Sequence, residues 1–212
     1  MSQRDTGLRR FLRLPGGYQG FQDLLGAQRF QRRFARTWVK AEAPMRVLDI
    51  GCGPASLLDH LPDGVDYHGF DENPAYIEAA RRRHRGRGRF WQARVERQAV
   101  DELGRFDRVI ALGVLHHLGD DDARALIALA AHVLAPGGAL VTYDPTRVPE
   151  QGRVSRWLVD HDRGTAVRSP DGYLALARTA FTDVTVDIVS GHLRIPYHAA
   201  ILTCTAPHAR AA

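Results

Sequence analysis

The sequence has two cysteines, a single lysine and no long apolar run. Cys52 and Cys204 are too few for a disulfide framework, and they also exclude structural zinc sites built on several cysteine ligands. No stretch approaches the ~20 apolar residues of a membrane-spanning helix. Residues 1–5 contain no apolar core of the kind that secretion signals carry. We therefore expect a cytoplasmic protein without a membrane partner.

Basic residues outnumber acidic ones, 29 to 24, and all but Lys40 of the basic residues are arginine. The densest group is the run at residues 81–89, RRRHRGRGR. One interpretation is an anion-binding patch. The interpretation we favour is a solvated helix end, because cationic side chains near a helix C-terminus complement its dipole and glycine can end the helix.

The chain has 212 residues, 44% of them hydrophobic and 25% charged, as expected for one globular domain. From Val47 onward, short apolar runs alternate with amphipathic segments, which indicates an α/β fold with parallel strands and crossover helices. Predicted strands are 46–50, 66–70, 89–92, 106–112, 139–143, 182–189 and 197–205. Predicted helices are 55–61, 74–85 and 121–134, the last ended by Gly137-Gly138. One of the last two strands is expected to run antiparallel, because no long crossover separates them.

Ahead of the first strand, residues 19–40 are predicted to form one or two helices with an apolar stripe. Ala27, Phe30, Phe34 and Trp38 make up this stripe. It indicates either a lid over a site or simple packing on the sheet, and the pattern does not distinguish the two.

The first strand ends in a glycine turn, Gly51-Cys52-Gly53, which opens into the next helix. Small residues at such a turn let a ligand approach the backbone. A dinucleotide fingerprint would have a third glycine where Ser56 stands. Asp49 would repel a pyrophosphate but would accept hydrogen bonds from an ammonium group. The turn therefore favours a zwitterionic ligand over NAD.

Asp71 lies at the tip of the second predicted strand, twenty residues after Gly51. A carboxylate at this position can accept hydrogen bonds from two ribose hydroxyls. The alternative role is a helix N-cap, but Asn73 before Pro74 is expected to fill it. We therefore expect Asp71 to be available to a ligand.

These motifs resemble the class I methyltransferases that use S-adenosylmethionine (SAM), especially the small-molecule type. The resemblance runs from about residue 46 to residue 144 and includes the segments FDRVIALGVLHHL (106–118) and LAPGGALV (134–141). It implies a Rossmann-like, seven-stranded, mostly parallel sheet with helices on both faces and an N-terminal helical cap. It also implies methyl transfer from SAM, leaving S-adenosylhomocysteine (SAH). The cofactor contacts implied are Asp49, Gly51, Cys52, Gly53, Asp71, Glu72, Ala93, Arg94 and Leu112.

The sequence departs from the family after the third strand. Many relatives have an acidic residue there to accept a hydrogen bond from the adenine amino group, whereas this chain has Ala93-Arg94-Val95. Arg94 has no acceptor. Adenine recognition is then expected to depend on backbone groups near Ala93 and Arg94, on Glu96, or on packing by Phe70 and Trp91.

On the acceptor side, His116 is the predicted general base, since histidine titrates near neutral pH. The predicted substrate contacts are Tyr18, His117, Asp144, Arg163 and Tyr173. Tyr18 belongs to the cap, where Gln22 and Arg29 are further candidates for reaching the SAM carboxylate. Arg163 and Tyr173 belong to a segment that the sheet does not need, where Asp162 is another candidate. The alternative interpretation of that segment is a surface turn joined by salt bridges.

We predict a single domain, 1–212, divided into an N-terminal cap (1–44), a SAM-binding core (45–145), a substrate lid (146–180) and C-terminal strands (181–206). No metal is expected, and the protein is expected to be a monomer or homodimer in a biosynthetic role. Two alternatives stay open: a nucleic-acid methyltransferase, and a SAM-binding protein with other chemistry. The first is disfavoured because the fourth strand leads into Gly113-Val114-Leu115 rather than an Asn/Asp-Pro-Pro-aromatic segment.

Overall fold

The computed structural model describes residues 27–160, 164, 166–191 and 196–208. The strands are β1 (Arg46–Ile50), β2 (Asp66–Asp71), β3 (Arg89–Gln92), β4 (Phe106–Leu112), β5 (Leu134–Pro145), β6 (Phe181–Val189) and β7 (Ala199–Pro207). They form one sheet in the order β3-β2-β1-β4-β5-β7-β6. β1 to β5 pair in parallel. β7 is antiparallel to both β5 and β6, which confirms the expected reversal and makes the sheet mixed.

Helices pack on both faces of this sheet. They are α1 (Ala27–Phe34), continued by a π-helical segment Ala35–Val39, then α2 (Pro74–Arg83), α3 (Arg97–Asp101), α4 (Asp120–Val133), α5 (Arg153–Asp160) and α6 (Pro170–Ala177). One apolar core joins α1 and α2 to the sheet, and the other joins α3, α4 and α6 to its opposite face. In the part of the chain described, no helix has both the length and the apolar character needed to cross a membrane.

Two predicted helices differ from the observed ones. The segment after β1 is a short 3₁₀ helix, Ser56–His60, which starts only after Ala55 adopts a left-handed conformation with φ 54°. The helix predicted at 121–134 ends at Val133, one residue from its predicted end, but Gly137-Gly138 is not its stop: both glycines lie in β5, which begins at Leu134 rather than at the predicted residue 139. A Cβ at Gly138 would lie 3.1 Å from the Asp107 carbonyl oxygen, so this glycine allows β5 to approach β4 closely.

The arginine run at 81–89 spans the end of α2 and the turn into β3. Its side chains contact neighbouring parts of the fold. The Arg81 guanidinium donates to the Phe90 carbonyl at 2.7 Å, and Arg83 pairs with Asp59. These contacts support the interpretation of this run as a structural helix end.

α1 packs its predicted apolar stripe on the sheet. Phe30 and Phe34 are buried, and their ring centroids lie 4.7 Å and 6.4 Å from that of Tyr143 on β5. Trp38 is only partly buried, and its indole nitrogen donates to Asp187 Oδ2 at 2.7 Å. The packing interpretation of this helix is therefore correct for residues 27–39. It does not exclude a contact with a ligand, because one polar residue of α1 also reaches the cavity described below.

Candidate cofactor site

A cavity of about 800 Å³ lies at the carboxyl ends of β1 to β4. Its size is typical of a small-molecule site, and its position is where open α/β sheets bind ligands. Sequence-predicted residues that line it are Asp49, Gly51, Cys52, Gly53, Asp71, Glu72, Ala93, Arg94, Leu112 and His117. The structure thus brings the nine cofactor contacts implied by the family resemblance together at one cavity, whereas Arg29, a candidate for reaching the SAM carboxylate, is exposed and does not line it.

The glycine turn is held tightly against its surroundings. Gly51 and Cys52 both donate their backbone N–H to the Phe70 carbonyl, at 2.8 and 3.0 Å. Gly51 has φ 73°, and a Cβ there would lie 2.7 Å from Val114 Cγ2 in the loop after β4. Only glycine fits this position, which is why the turn can present its backbone to the cavity.

Asp49 supplies a buried carboxylate with unused hydrogen-bonding capacity. It is 2% exposed, and its Oδ2 accepts a 2.5 Å hydrogen bond from the Tyr67 hydroxyl. Within the described residues its Oδ1 has no partner. Burial raises the pKa of Asp49 to about 7, against the opposing hydrogen bond from Tyr67 and with a further contribution from the Asp71 charge. A buried carboxylate oxygen without a partner is costly, so this oxygen suits a cationic donor entering the cavity.

Asp71 is oriented by two backbone amides. Its Oδ2 accepts from Gly53 N at 3.0 Å and its Oδ1 from Asn73 N at 2.8 Å. Asn73 caps α2 by accepting from Ala75 N at 2.9 Å, which confirms the predicted cap. The availability of Asp71 to a ligand stays a prediction. Each carboxylate oxygen still has a second lone pair, so Asp71 is fixed in place while it can accept further hydrogen bonds.

The third strand ends without an acidic acceptor, as the sequence indicated. Arg94 donates to Asp122 at 2.9 Å, both residues lining the cavity, and Ala93 N donates to the Asp71 carbonyl. Of the predicted adenine contacts, Phe70 and Glu96 line the cavity, whereas Trp91 stacks on Phe70 at 4.8 Å without lining the cavity. The remaining walls here combine apolar residues, Val95, Leu118, Leu126 and Leu129, with the charged residues Arg97 and Asp122. This end of the cavity therefore offers apolar contact together with the carboxylates of Glu96 and Asp122.

Gln31 on α1 is a cavity residue that sequence reasoning missed. It is 7% exposed, lines the cavity, and in the described part of the chain its Oε1 has no hydrogen-bond partner. Ala27, Phe30, Gln31 and Phe34 are the buried positions of the helix. The sequence did carry a signal for Gln31. It follows Ala27 of the apolar stripe by four residues, and this spacing places it on the buried face of the helix.

The two histidines after β4 occupy different environments. His117 is exposed and lines the cavity. His116 is buried and does not line it, and its Nδ1 lies 2.8 Å from Asp144 Oδ1. The backbone N–H of His116 also donates to that oxygen, at 3.1 Å. Burial raises the pKa of Asp144, while the His116 contacts oppose that rise.

Three residues after α5, Gly164, Ala166 and Arg168, pack directly against this histidine turn. A Cβ at Gly164 would clash with the His116 ring, and Ala166 N donates to the His116 carbonyl at 2.9 Å. Arg168 donates to the carbonyls of Leu115 and Leu118, at 3.0 and 2.8 Å. These three residues therefore fix the shape of the turn that carries both histidines.

Tyr173 and Asp144 lie beside the cavity rather than in its wall. Tyr173 is 1% exposed, and its hydroxyl donates to the Pro145 carbonyl at 3.0 Å. Tyr18, Gln22, Asp162 and Arg163 fall outside the described residues. The roles of these side chains toward an acceptor stay predictions.

The strand order and the cavity position define a Rossmann-like domain with a cavity at its strand tips, where sheets of this kind hold their ligands. Among the residues described, the buried Oδ1 of Asp49, a residue lining this cavity, has no hydrogen-bond partner.

Comparison with known families identifies the domain further. A family model described as a methyltransferase domain matches residues 47–138. This match covers less than half of the chain and supports the resemblance to the class I SAM-dependent methyltransferases that its motifs carry.

Two curated relatives match about half of the chain. A ubiquinone biosynthesis O-methyltransferase of Xanthomonas axonopodis pv. citri is 32% identical over 111 residues, 50% of this chain and 46% of that protein. An uncharacterized protein of Synechococcus sp. is 37% identical over 102 residues, 45% of this chain and 24% of that protein. The chain thus spans less than half the length of these curated relatives.

Solved structures share the fold at low sequence identity. Human N-acetylserotonin methyltransferase, solved in complex with SAM, superposes with a TM-score of 0.62 at 18% identity, covering 97% of this chain and 60% of that one. This likeness confirms the Rossmann-like architecture.

Proposed function

We propose that the chain binds SAM in the strand-tip cavity and transfers its methyl group to a small-molecule acceptor. The observation that carries this proposal is the pairing of a cavity-facing buried carboxylate, Asp49, with a second carboxylate, Asp71, across the glycine turn. The name of the matched Xanthomonas relative supports a hydroxyl as the accepting group.

The residues present fit the cofactor. Asp49 would hold the ammonium of the methionine part, because its Oδ1 needs a donor. Asp71 and the adjoining Glu72 would hold the ribose. Phe70 and Leu118 would contact the adenine ring. Cys52 lies within the turn, and burial raises its thiol pKa, so we assign it a packing role rather than a chemical one.

SAM, when bound, supplies a methyl group on a positively charged sulfur, which a nucleophile displaces in line. The contribution of the protein is to hold donor and acceptor in alignment and to exclude water, and this positioning accounts for a large share of such rate enhancements. Fixed backbone at the glycine turn and a fixed loop after β4 serve this purpose.

For a hydroxyl acceptor, a base must also take the proton. His116 stays our predicted base: Asp144, 2.8 Å from its Nδ1, would hold the Nδ1–H and so favour the tautomer whose Nε2 is basic. His117, which lines the cavity, would contact the acceptor. Neither Asp144 nor Tyr173 lines the cavity, so both would act through the residues that do.

Two measurements test the proposal. Calorimetry with SAH should show saturable binding to the full chain, whereas NADH should give none. Incubation with methyl-labelled SAM and a panel of phenolic, hydroxyacid and amine metabolites should then label a small molecule. Absence of SAH binding, or a response to NADH alone, would overturn the cofactor assignment. Labelling of RNA or DNA in place of metabolites would overturn the acceptor class.

A further inference from the structure

We propose that Gln31 of α1 completes the ammonium subsite with Asp49 and so couples the N-terminal helix to cofactor binding. This inference rests on the proposed function, because it assigns a new contact within the same cavity.

The first argument is an excess of acceptors. Asp49 Oδ1 and Gln31 Oε1 are both buried, both lack a partner within the residues described, and both side chains line the same cavity. An unpaired buried acceptor destabilises a protein, so two such atoms at one cavity indicate a ligand that supplies donors. An ammonium group has three N–H donors, enough for both atoms.

The second argument is the setting of Gln31. The other buried residues of its helix are apolar, and Phe30 and Phe34 pack against the ring of Tyr143 on β5. An apolar residue would fill this position on the helix face without leaving an acceptor unpaired. The polar amide therefore weakens the unliganded fold, and ligand binding would offset that cost.

The third argument is a contrast with Gln28 on the same helix. The Oε1 of Gln28 lies 3.0 Å from His60 Nε2, and Gln28 does not line the cavity. The two glutamines thus lie on the same helix but only Gln31 lines the cavity, which makes Gln28 a matched control.

The test combines ligand affinity with stability of the unliganded protein. Gln31→Met keeps an unbranched side chain but removes the acceptor. It should lower SAH affinity ten- to a hundredfold in calorimetry, the range of one hydrogen bond to a charged group. Without ligand, its thermal midpoint should rise by roughly 2–4 °C. Gln31→Glu, which keeps an acceptor oxygen, should retain most of the affinity, and Gln28→Met should bind SAH like the wild type.

A ligand lacking the amino group separates this contact from a general effect on the cavity. The deamino analogue of SAH should bind the wild type more weakly than SAH does, and Gln31→Met should weaken it no further. Equal loss of affinity for both ligands, or unchanged SAH affinity in Gln31→Met, would overturn the role of Gln31 while leaving the proposed function intact. Absence of SAH binding to the wild type would overturn both.

Discussion

Replacing Asp49 with asparagine should stabilise the unliganded protein while abolishing most cofactor affinity. Burial raises the pKa of this carboxyl from 3.8 to about 7. The folded state thus holds the Asp49 proton more tightly than the unfolded state does. Below about pH 4 both states are protonated and the group has no effect. Between pH 4 and 7 ionisation increasingly penalises the fold, and above pH 7 the penalty is constant.

The size of this penalty follows from the shift. One pKa unit corresponds to 1.36 kcal/mol, so a shift of about three units gives at most about 4 kcal/mol at pH 8. Asparagine keeps the shape of the side chain and an acceptor for the Tyr67 hydroxyl. Asp49→Asn should therefore exceed the wild type in stability at pH 8, and the advantage should shrink as the pH falls toward 4.

Urea denaturation of both proteins at pH 5 and pH 8, followed by SAH titration, measures these effects. Asp66→Asn is a control of opposite sign. Burial alone would raise the pKa of Asp66, but hydrogen bonds from His68 and Arg46 outweigh burial and lower this pKa. Removing the Asp66 carboxylate should therefore destabilise the protein at pH 8. If the free energy of unfolding depends on pH in the same way in Asp49→Asn and the wild type, the buried carboxylate does not destabilise the fold. If the variant binds SAH normally, the carboxylate does not bind the cofactor.

Three further substitutions test the rest of the site. Asp71→Ala should weaken SAH binding tenfold or more, about 1.4 kcal/mol, because its carboxylate is the predicted ribose acceptor; an unchanged titration would remove that role. His116→Ala should leave SAH affinity intact and slow turnover, and full activity would exclude it from the chemistry. Arg168→Lys should lower kcat with unchanged SAH affinity, since lysine lacks the planar fork that reaches both Leu115 and Leu118 carbonyls. Wild-type kcat in that variant would show that these two hydrogen bonds of Arg168 do not position the turn.

Local sequence signals predicted most of the sheet. β1, β3 and β4 have the predicted boundaries, because each is a short run of strand-forming residues whose ends are marked locally by a turn. The helix stop assigned to Gly137-Gly138 was wrong, because these glycines lie in β5. Whether a glycine ends a helix or admits a neighbouring strand depends on what lies across from it, here the Asp107 carbonyl of β4.

The sequence by itself determined the fold class, the glycine turn and the placing of Asp49 and Asp71, since strand tips in a parallel sheet necessarily meet at one edge. Only the tertiary structure decided which side chains have partners. Among the described residues, it left an oxygen of Gln31 without a partner beside the cavity, buried His116 against Asp144, and used Arg168 to hold the histidine turn. These features depend on how α1 packs on the sheet and how Arg168 packs on the turn after β4, and contacts between residues far apart in the chain leave no periodic pattern in the sequence.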